Sequence, residues 1–182
     1  MKQNNFFIIG NGGGGTSLLR GMLNAHSRID CKFEYKPGGN PDQNIQLWTE
    51  ESGALENGTL WGNKIPFEQF LSMGFTRDQK LSLINEFKII WLIRRYSMYH
   101  QNRKGPYEEN WHHAQEIYWA MRELHPDRII MVSFEDLLLR TPVELMRICD
   151  FLNLEYEPEM MKGTLDTGLK RYNQGKINRA RV

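Results

Sequence analysis

Positions 10 to 15 read Gly10-Asn11-Gly12-Gly13-Gly14-Gly15, a run whose one side chain is that of Asn11. Before it stands the apolar, β-prone Phe6-Phe7-Ile8-Ile9, and after it Leu18, Leu19, Met22 and Leu23 fall on one helical stripe. The order reads strand, loop, helix, with Thr16-Ser17 placed to cap the helix start. So many glycines cost chain entropy that a plain turn does not require. A chain of bare N–H groups at a helix N-terminus is, by contrast, a site for phosphate or sulfate.

Ile29 to Phe33 reads as another short strand, and Lys88 to Ile93 and Arg128 to Val132 are continuous apolar runs of the kind expected of strands buried on both faces of a parallel sheet. Helix-period segments cover roughly Thr76 to Glu86, Asn110 to Leu124 and Thr141 to Leu152, the last opening on a Thr-Pro helix start. Residues 36 to 60 hold Pro37, Gly38, Gly39, Pro41, Gly53 and Gly58 and read as a long loop with one helix near Ile45 to Glu50. Strands alternating with helices predict an α/β chain: a P-loop-like three-layer fold with a central, mostly parallel β-sheet flanked by helices. At 182 residues one domain, 1–182, is expected. The segment 162–182 is basic, and is expected to be either a mobile end or a ligand-closing segment.

Lys and Arg number 23 against 22 Asp and Glu, a net charge of +1, which argues against a nucleic-acid or membrane-coating surface; any basic site is local. No run approaches the roughly 20 apolar residues of a membrane span. The polar Met1 to Asn5 followed by four apolar residues is no signal peptide, so a cytoplasmic location is expected. Cys31 and Cys149 are read as reduced, buried thiols, and no Cys/His spacing offers a metal site. A nucleotide-hydrolase loop would need Lys at position 16, where Thr16 stands, and no strand clearly ends in a magnesium-binding Asp; metal-free group transfer is preferred.

Four segments, in order, resemble the sulfotransferases that use 3′-phosphoadenosine-5′-phosphosulfate (PAPS). Phe7 to Gly10 with Gly15-Thr16-Ser17-Leu18-Leu19-Arg20 is similar to the family's 5′-phosphosulfate loop, P-[KR]-S-G-T-[ST]. Trp61-Gly62-Asn63-Lys64-Ile65-Pro66-Phe67 is similar to its lysine-x-proline segment beside the sulfuryl group. Ile90 to Arg95, with Asn102 eight residues after Arg94, is similar to its 3′-phosphate segment. Val132 to Leu137 with Phe151 to Leu154 is similar to its "YEDL…FLGL" stretch. The likeness is greatest to the protein-tyrosine, heparan-type and bacterial branches, because Glu34 stands where those branches carry a base at the end of the second strand.

The resemblance implies PAPS as co-substrate, no metal, and a small-molecule, carbohydrate or peptide acceptor; nucleic acid and membrane are not expected partners, and oligomeric state is not legible. It implies a cofactor site at Gly12, Gly13, Gly14, Gly15, Thr16, Ser17, Arg94 and Asn102, with Glu34 as base and Lys64 as the cation on the sulfuryl oxygens. Departures stand at Gly13 for Lys or Arg, Asn102 for Ser, Arg95 for Asp or Asn, and Phe134 for Tyr. The cation lacking at 13 would be replaced by Lys64, Lys36 or Arg20, with Lys64 favoured, and a Gly13→Lys substitution is expected to leave the fold intact. Glu34 and Lys64 are expected to face one reacting centre, roughly 6 to 9 Å apart at about 3 Å per contact. Glu34 could instead be a solvated surface carboxylate. Trp91, Phe134 and Phe151 are expected in the core, with Trp61 or Phe134 in reach of the base; His112 and His113 are read as ordinary helix residues and Arg103 and Lys104 as solvated charges or 3′-phosphate helpers. Competing readings are a catalytically impaired PAPS-binding module and, opposed by Thr16, a P-loop kinase.

Overall fold

The computed structural model describes residues 4–55, 58–95 and 107–163. Asn102, Arg103, Lys104 and nearly all of the basic 162–182 segment lie outside them. Five strands, β1 (Phe6–Gly10), β2 (Ile29–Phe33), β3 (Leu60–Pro66), β4 (Lys88–Ile93) and β5 (Ile129–Ser133), form one sheet in the order β2-β3-β1-β4-β5. Every neighbouring pair is parallel: Phe6 stands opposite Gly62 and Lys88, Phe33 opposite Lys64, and Ile93 opposite Ser133.

Alternation along β1 sorts the core into two layers. Phe6 and Ile8 face α1 (Thr16–Asn24) and the later helices α6 (Phe134–Leu139) and α7 (Thr141–Leu152) through Leu19, Leu23, Leu137, Leu145 and Ile148. Phe7 and Ile9 face α2 (Pro41–Ala54), α3 (Phe67–Ser72), α4 (Arg77–Glu86) and α5 (Tyr107–Leu124) through Trp48, Phe67, Ile84 and Tyr118. That second layer is aromatic, with Phe7 edge-on to Trp48, Trp61 and Phe87. The α/β three-layer expectation thus holds.

Some local expectations are corrected. The stretch read mostly as loop contains the 14-residue α2, capped by the Asn40 side chain on Gln43 N–H and opened by Pro41. This helix contains the one expected near Ile45 to Glu50 and extends it at both ends; its buried positions Asn44, Trp48 and Ser52 form an i, i+4, i+8 stripe that is mostly polar, which is why hydropathy gave only its middle. Strand β3 also went unread, because Gly62, Asn63 and Lys64 interrupt its apolar run although all three are buried. Neither Thr16 nor Thr141 is a capping side chain: Gly15 and Arg140 occupy those cap positions, and no side-chain cap bond forms at either. Trp61 is fully buried in the aromatic layer, so it is not an adenine contact.

Candidate active site

In a parallel sheet the loops that follow the strands gather at one edge, and ligands bind where neighbouring connections diverge. Here Gly10 ends β1, Glu34 follows β2, Lys64 lies near the end of β3, Arg94 follows β4 and Ser133 ends β5. The predicted residues that are described therefore share one edge of the sheet.

The glycine loop enters α1 through Gly15 at φ 97°, a left-handed conformation. A side chain there would also strike the Phe134 ring, 2.2 Å from an added Cβ. Phe134 thus braces the loop from the start of α6, and glycine is required twice over. Gly13 is left-handed too, at φ 85°. A Lys at position 13 would take up this left-handed backbone at a cost of about 1–2 kcal/mol, the strain against which its expected tolerance by the fold has to be measured. Gly14 N–H closes the loop onto Asn11 C=O at 2.7 Å, and Gly12 N–H donates to both Glu68 oxygens at 3.1 and 3.0 Å. The first N–H groups of α1 have no intrahelical partner, and no acidic residue lies in its first turn, so the positive end of the helix dipole meets no carboxylate on that turn.

Arg94 lies across this loop. Its Nη1 donates to Gly13 C=O at 3.2 Å, its guanidinium sits 4.9 Å from the Phe134 ring centre, and its carbonyl accepts from Trp111 Nε1 at 3.1 Å. Arg94 is therefore a cation set against position 13, outside the candidates weighed from sequence. Arg20 Nε instead donates to the Cys31 and Lys32 carbonyls, and Lys36 is exposed. Two buried donors at this loop, Arg94 Nε and Asn11 Nδ2, have no hydrogen-bond partner among the described residues. Buried donors without acceptors are costly, and an anionic, phosphate-bearing ligand in the loop would supply them.

Glu34 and Lys64 meet directly at 2.5 Å, Nζ to Oε1, correcting the expected 6 to 9 Å gap. The ammonium is almost wholly buried, with side-chain exposure of 4%, and the carboxylate is 31% exposed, so solvent reaches the pair from the Glu34 side. Lys64 Nζ also rests 4.3 Å from the centre of the Phe33 ring, an exposed aromatic that Arg20 approaches at 5.5 Å. Glu34 itself has φ 51°, one of two non-glycine residues with positive φ among those described. Its N–H continues the β2–β3 ladder to Lys64 C=O at 2.8 Å.

Cys31, in β2 and three residues before Glu34, is a fully buried thiol whose pKa burial pushes up to about 12, in line with an inert structural role. His112 and His113 are exposed on α5, with His113 Nδ1 3.7 Å from Glu116, as ordinary helix residues would be. Among the described residues no group of three or more His, Cys, Asp or Glu is placed to hold a metal ion, and no helix is long and apolar enough to cross a membrane. Sequence reasoning missed Glu68 and Phe134 as partners of the loop and Asn63 beside Lys64. Glu68 lies four residues beyond the motif lysine, and only that spacing could have singled it out.

A profile of the sulfotransferase family matches residues 75–158. No curated protein matches the chain by sequence. Among solved structures, the sulfotransferase domain of a Synechococcus olefin synthase superposes with a TM-score of 0.66 at 20% identity, covering 97% of this chain and 85% of that one. The sulfotransferase domain of the curacin biosynthetic pathway gives 0.59 at 18%, covering 90% and 78%. A mouse sulfotransferase complexed with PAP gives 0.57 at 14%, covering 96% and 67%. Residues 75–158 thus match the sulfotransferase family by sequence, and the chain has the fold of the sulfotransferase structures it superposes on.

Proposed function

We propose that the chain, as a single catalytic domain, transfers a sulfuryl group from PAPS to a hydroxyl or amine acceptor. The observation that carries this reading is the pair of unpartnered buried donors, Arg94 Nε and Asn11 Nδ2, at a glycine loop on a helix N-terminus. Gly12 to Ser17 and Arg94 would hold the phosphate-bearing ligand, and Asn102, outside the described residues, would join Arg94 at the 3′-phosphate. PAPS supplies the activated sulfuryl group. Glu34, open to solvent on one side, accepts the proton of the acceptor hydroxyl. Lys64, buried behind it, presents its ammonium where negative charge develops during transfer, and Arg94 adds the cation that position 13 does not carry. The exposed Phe33 ring beside Glu34 offers a stacking surface to a small-molecule, carbohydrate or peptide acceptor. A cytoplasmic setting suits two buried, free thiols.

The test is calorimetric titration with 3′,5′-adenosine diphosphate and ADP, followed by PAPS-dependent transfer in an acceptor screen. Tighter binding of the 3′-phosphorylated nucleotide, with that preference over ADP abolished by Arg94→Ala, supports the assignment; equal affinities sink it. The direct Glu34–Lys64 pairing and the side-chain-free position 13 favour, as a second reading, a nucleotide-binding module without turnover. Binding without transfer to any acceptor would select it.

A further inference from the structure

Asn63 is a fully buried carboxamide in the middle of β3, on the face shared with Trp61 and Ile65. A polar group in such a layer is retained at a cost unless both its ends are hydrogen-bonded. Both are, and by one residue: Oδ1 accepts Tyr35 N–H at 3.1 Å and Nδ2 donates to Tyr35 C=O at 2.8 Å. The Tyr35 N–H requires an acceptor, which fixes the amide's orientation. Trp48 Nε1 adds a second donor to the same carbonyl at 3.1 Å, and the Tyr35 hydroxyl is tied to Glu51 on the same helix. Residue 35 is thereby pinned to β3 and α2. One residue earlier, Glu34 N–H is pinned to Lys64 C=O. Between these pins Glu34 adopts φ 51°, which a residue with a Cβ takes up only when its surroundings impose it.

Successive residues of a strand face opposite sides of the sheet. Lys64 presents its ammonium to the Glu34 carboxylate on one side, while Asn63 holds the following backbone from the other. We propose that Asn63 is a positioning residue for sulfuryl transfer: its buried carboxamide clamps Tyr35 by both backbone groups and so holds Glu34 in the left-handed conformation that sets its carboxylate against Lys64. The proposal rests on the reading of Glu34 as the base.

Asn63→Leu keeps the forked shape at a larger volume and removes both bonds; Asn63→Ser removes them without added bulk and is read alone if the leucine variant does not fold. Each is made in the natural chain and in the Glu34→Gln background. The expected result is a fall in kcat of at least tenfold, with KM for PAPS and 3′,5′-adenosine diphosphate affinity unchanged within twofold, and no further fall when Glu34 is already Gln. A crystal structure of the variant should show residue 34 returned to negative φ. Natural turnover in a folded Asn63 variant, alongside an inactive Glu34→Gln, overturns the proposal and leaves the base in place. Multiplying losses in the double variant overturn it as well. An active Glu34→Gln removes the base reading itself, and the proposal with it.

Discussion

Replacing Glu34 by alanine and by glycine deletes the same carboxylate and leaves two different backbones. At φ 51° a residue with a Cβ bears a left-handed cost of about 1–2 kcal/mol. Glycine avoids that cost but gives up about 0.5–1 kcal/mol of chain entropy on folding. The difference leaves Glu34→Gly more stable than Glu34→Ala by about 0.5–1 kcal/mol, the reverse of the order at most positions. For a domain of this size each kcal/mol moves the melting temperature by roughly 2–4 °C, so the glycine variant should melt about 1–4 °C above the alanine one. Both should melt below the natural chain, because the Lys64 side chain, only 4% exposed, is left without its carboxylate. Breaking a fully buried pair costs about 3–5 kcal/mol, and water reaching the one-third exposed Glu34 side reduces that to about 2 kcal/mol. Adding Lys64→Met to the glycine variant removes the stranded ammonium and should recover most of the loss. Thermal unfolding by circular dichroism, with urea titration as a second measure, reads all four chains. An alanine variant as stable as the glycine variant would show that the backbone at 34 is not held left-handed. A methionine double variant that recovers nothing would refute the buried, unpaired ammonium.

Two other substitutions test the loop and the core. Glu68→Gln keeps an acceptor for Gly12 N–H and removes a negative charge from the edge of the anion loop; a charge–charge effect of about 1 kcal/mol should tighten 3′,5′-adenosine diphosphate by roughly three- to tenfold in calorimetry, an effect that shrinks as salt rises. Unchanged affinity would place the carboxylate out of reach of the bound phosphates. Lys88 is a buried lysine whose ammonium donates to Phe151 C=O, and burial, with Arg128 adding to it, holds its pKa below the usual 10.5. The unfolded chain then binds the extra proton between the lowered value and 10.5, so stability rises with pH across that window, and Lys88→Met should abolish this rise. Parallel stability curves for the two chains from pH 8 to 10.5 would refute it.

Where the chain's chemistry is apolar, its sequence declares its structure. The runs Phe6 to Ile9 and Ile89 to Ile93 are strands because nothing in them conflicts with burial, and in Ile29 to Phe33 the buried Ile29 and Cys31 alternate with the partly exposed Asp30 and Lys32. Strand β3 was hidden by the residues that serve the site. Lys64 is buried because Glu34 pairs with it, Asn63 because Tyr35 satisfies it, and Gly62 is needed because the Phe6 ring lies 2.5 Å from where a Cβ would stand. Each depends on a partner far away in the chain, which no local pattern reports. The glycine loop, Lys64, Arg94 and Glu34 were legible because motifs carry them, and they gather on one sheet edge. The direct contact of Glu34 with Lys64, the bracing of Gly15 by Phe134 and the bonding of Glu68 to Gly12 depend on side-chain directions that only the assembled sheet defines.

The strand order also bears on how the protein comes into being. The central strand β1 is made first, yet its hydrogen-bonding neighbours are β3 and β4, so Phe6 waits for Gly62 and then for Lys88. No adjacent pair of strands can close as a hairpin, since parallel neighbours need long crossovers. Such non-local pairing puts refolding toward the slow, millisecond-to-second end of the range for small domains. On a ribosome the glycine loop therefore emerges long before the strands that flank it, and a fragment ending before β4 would expose one whole edge of β1. The anion loop and the rest of the fold should appear in a single kinetic phase, because β1, which ends in the loop, has both edges covered only once β4 is in place, and β4 only once β5 is.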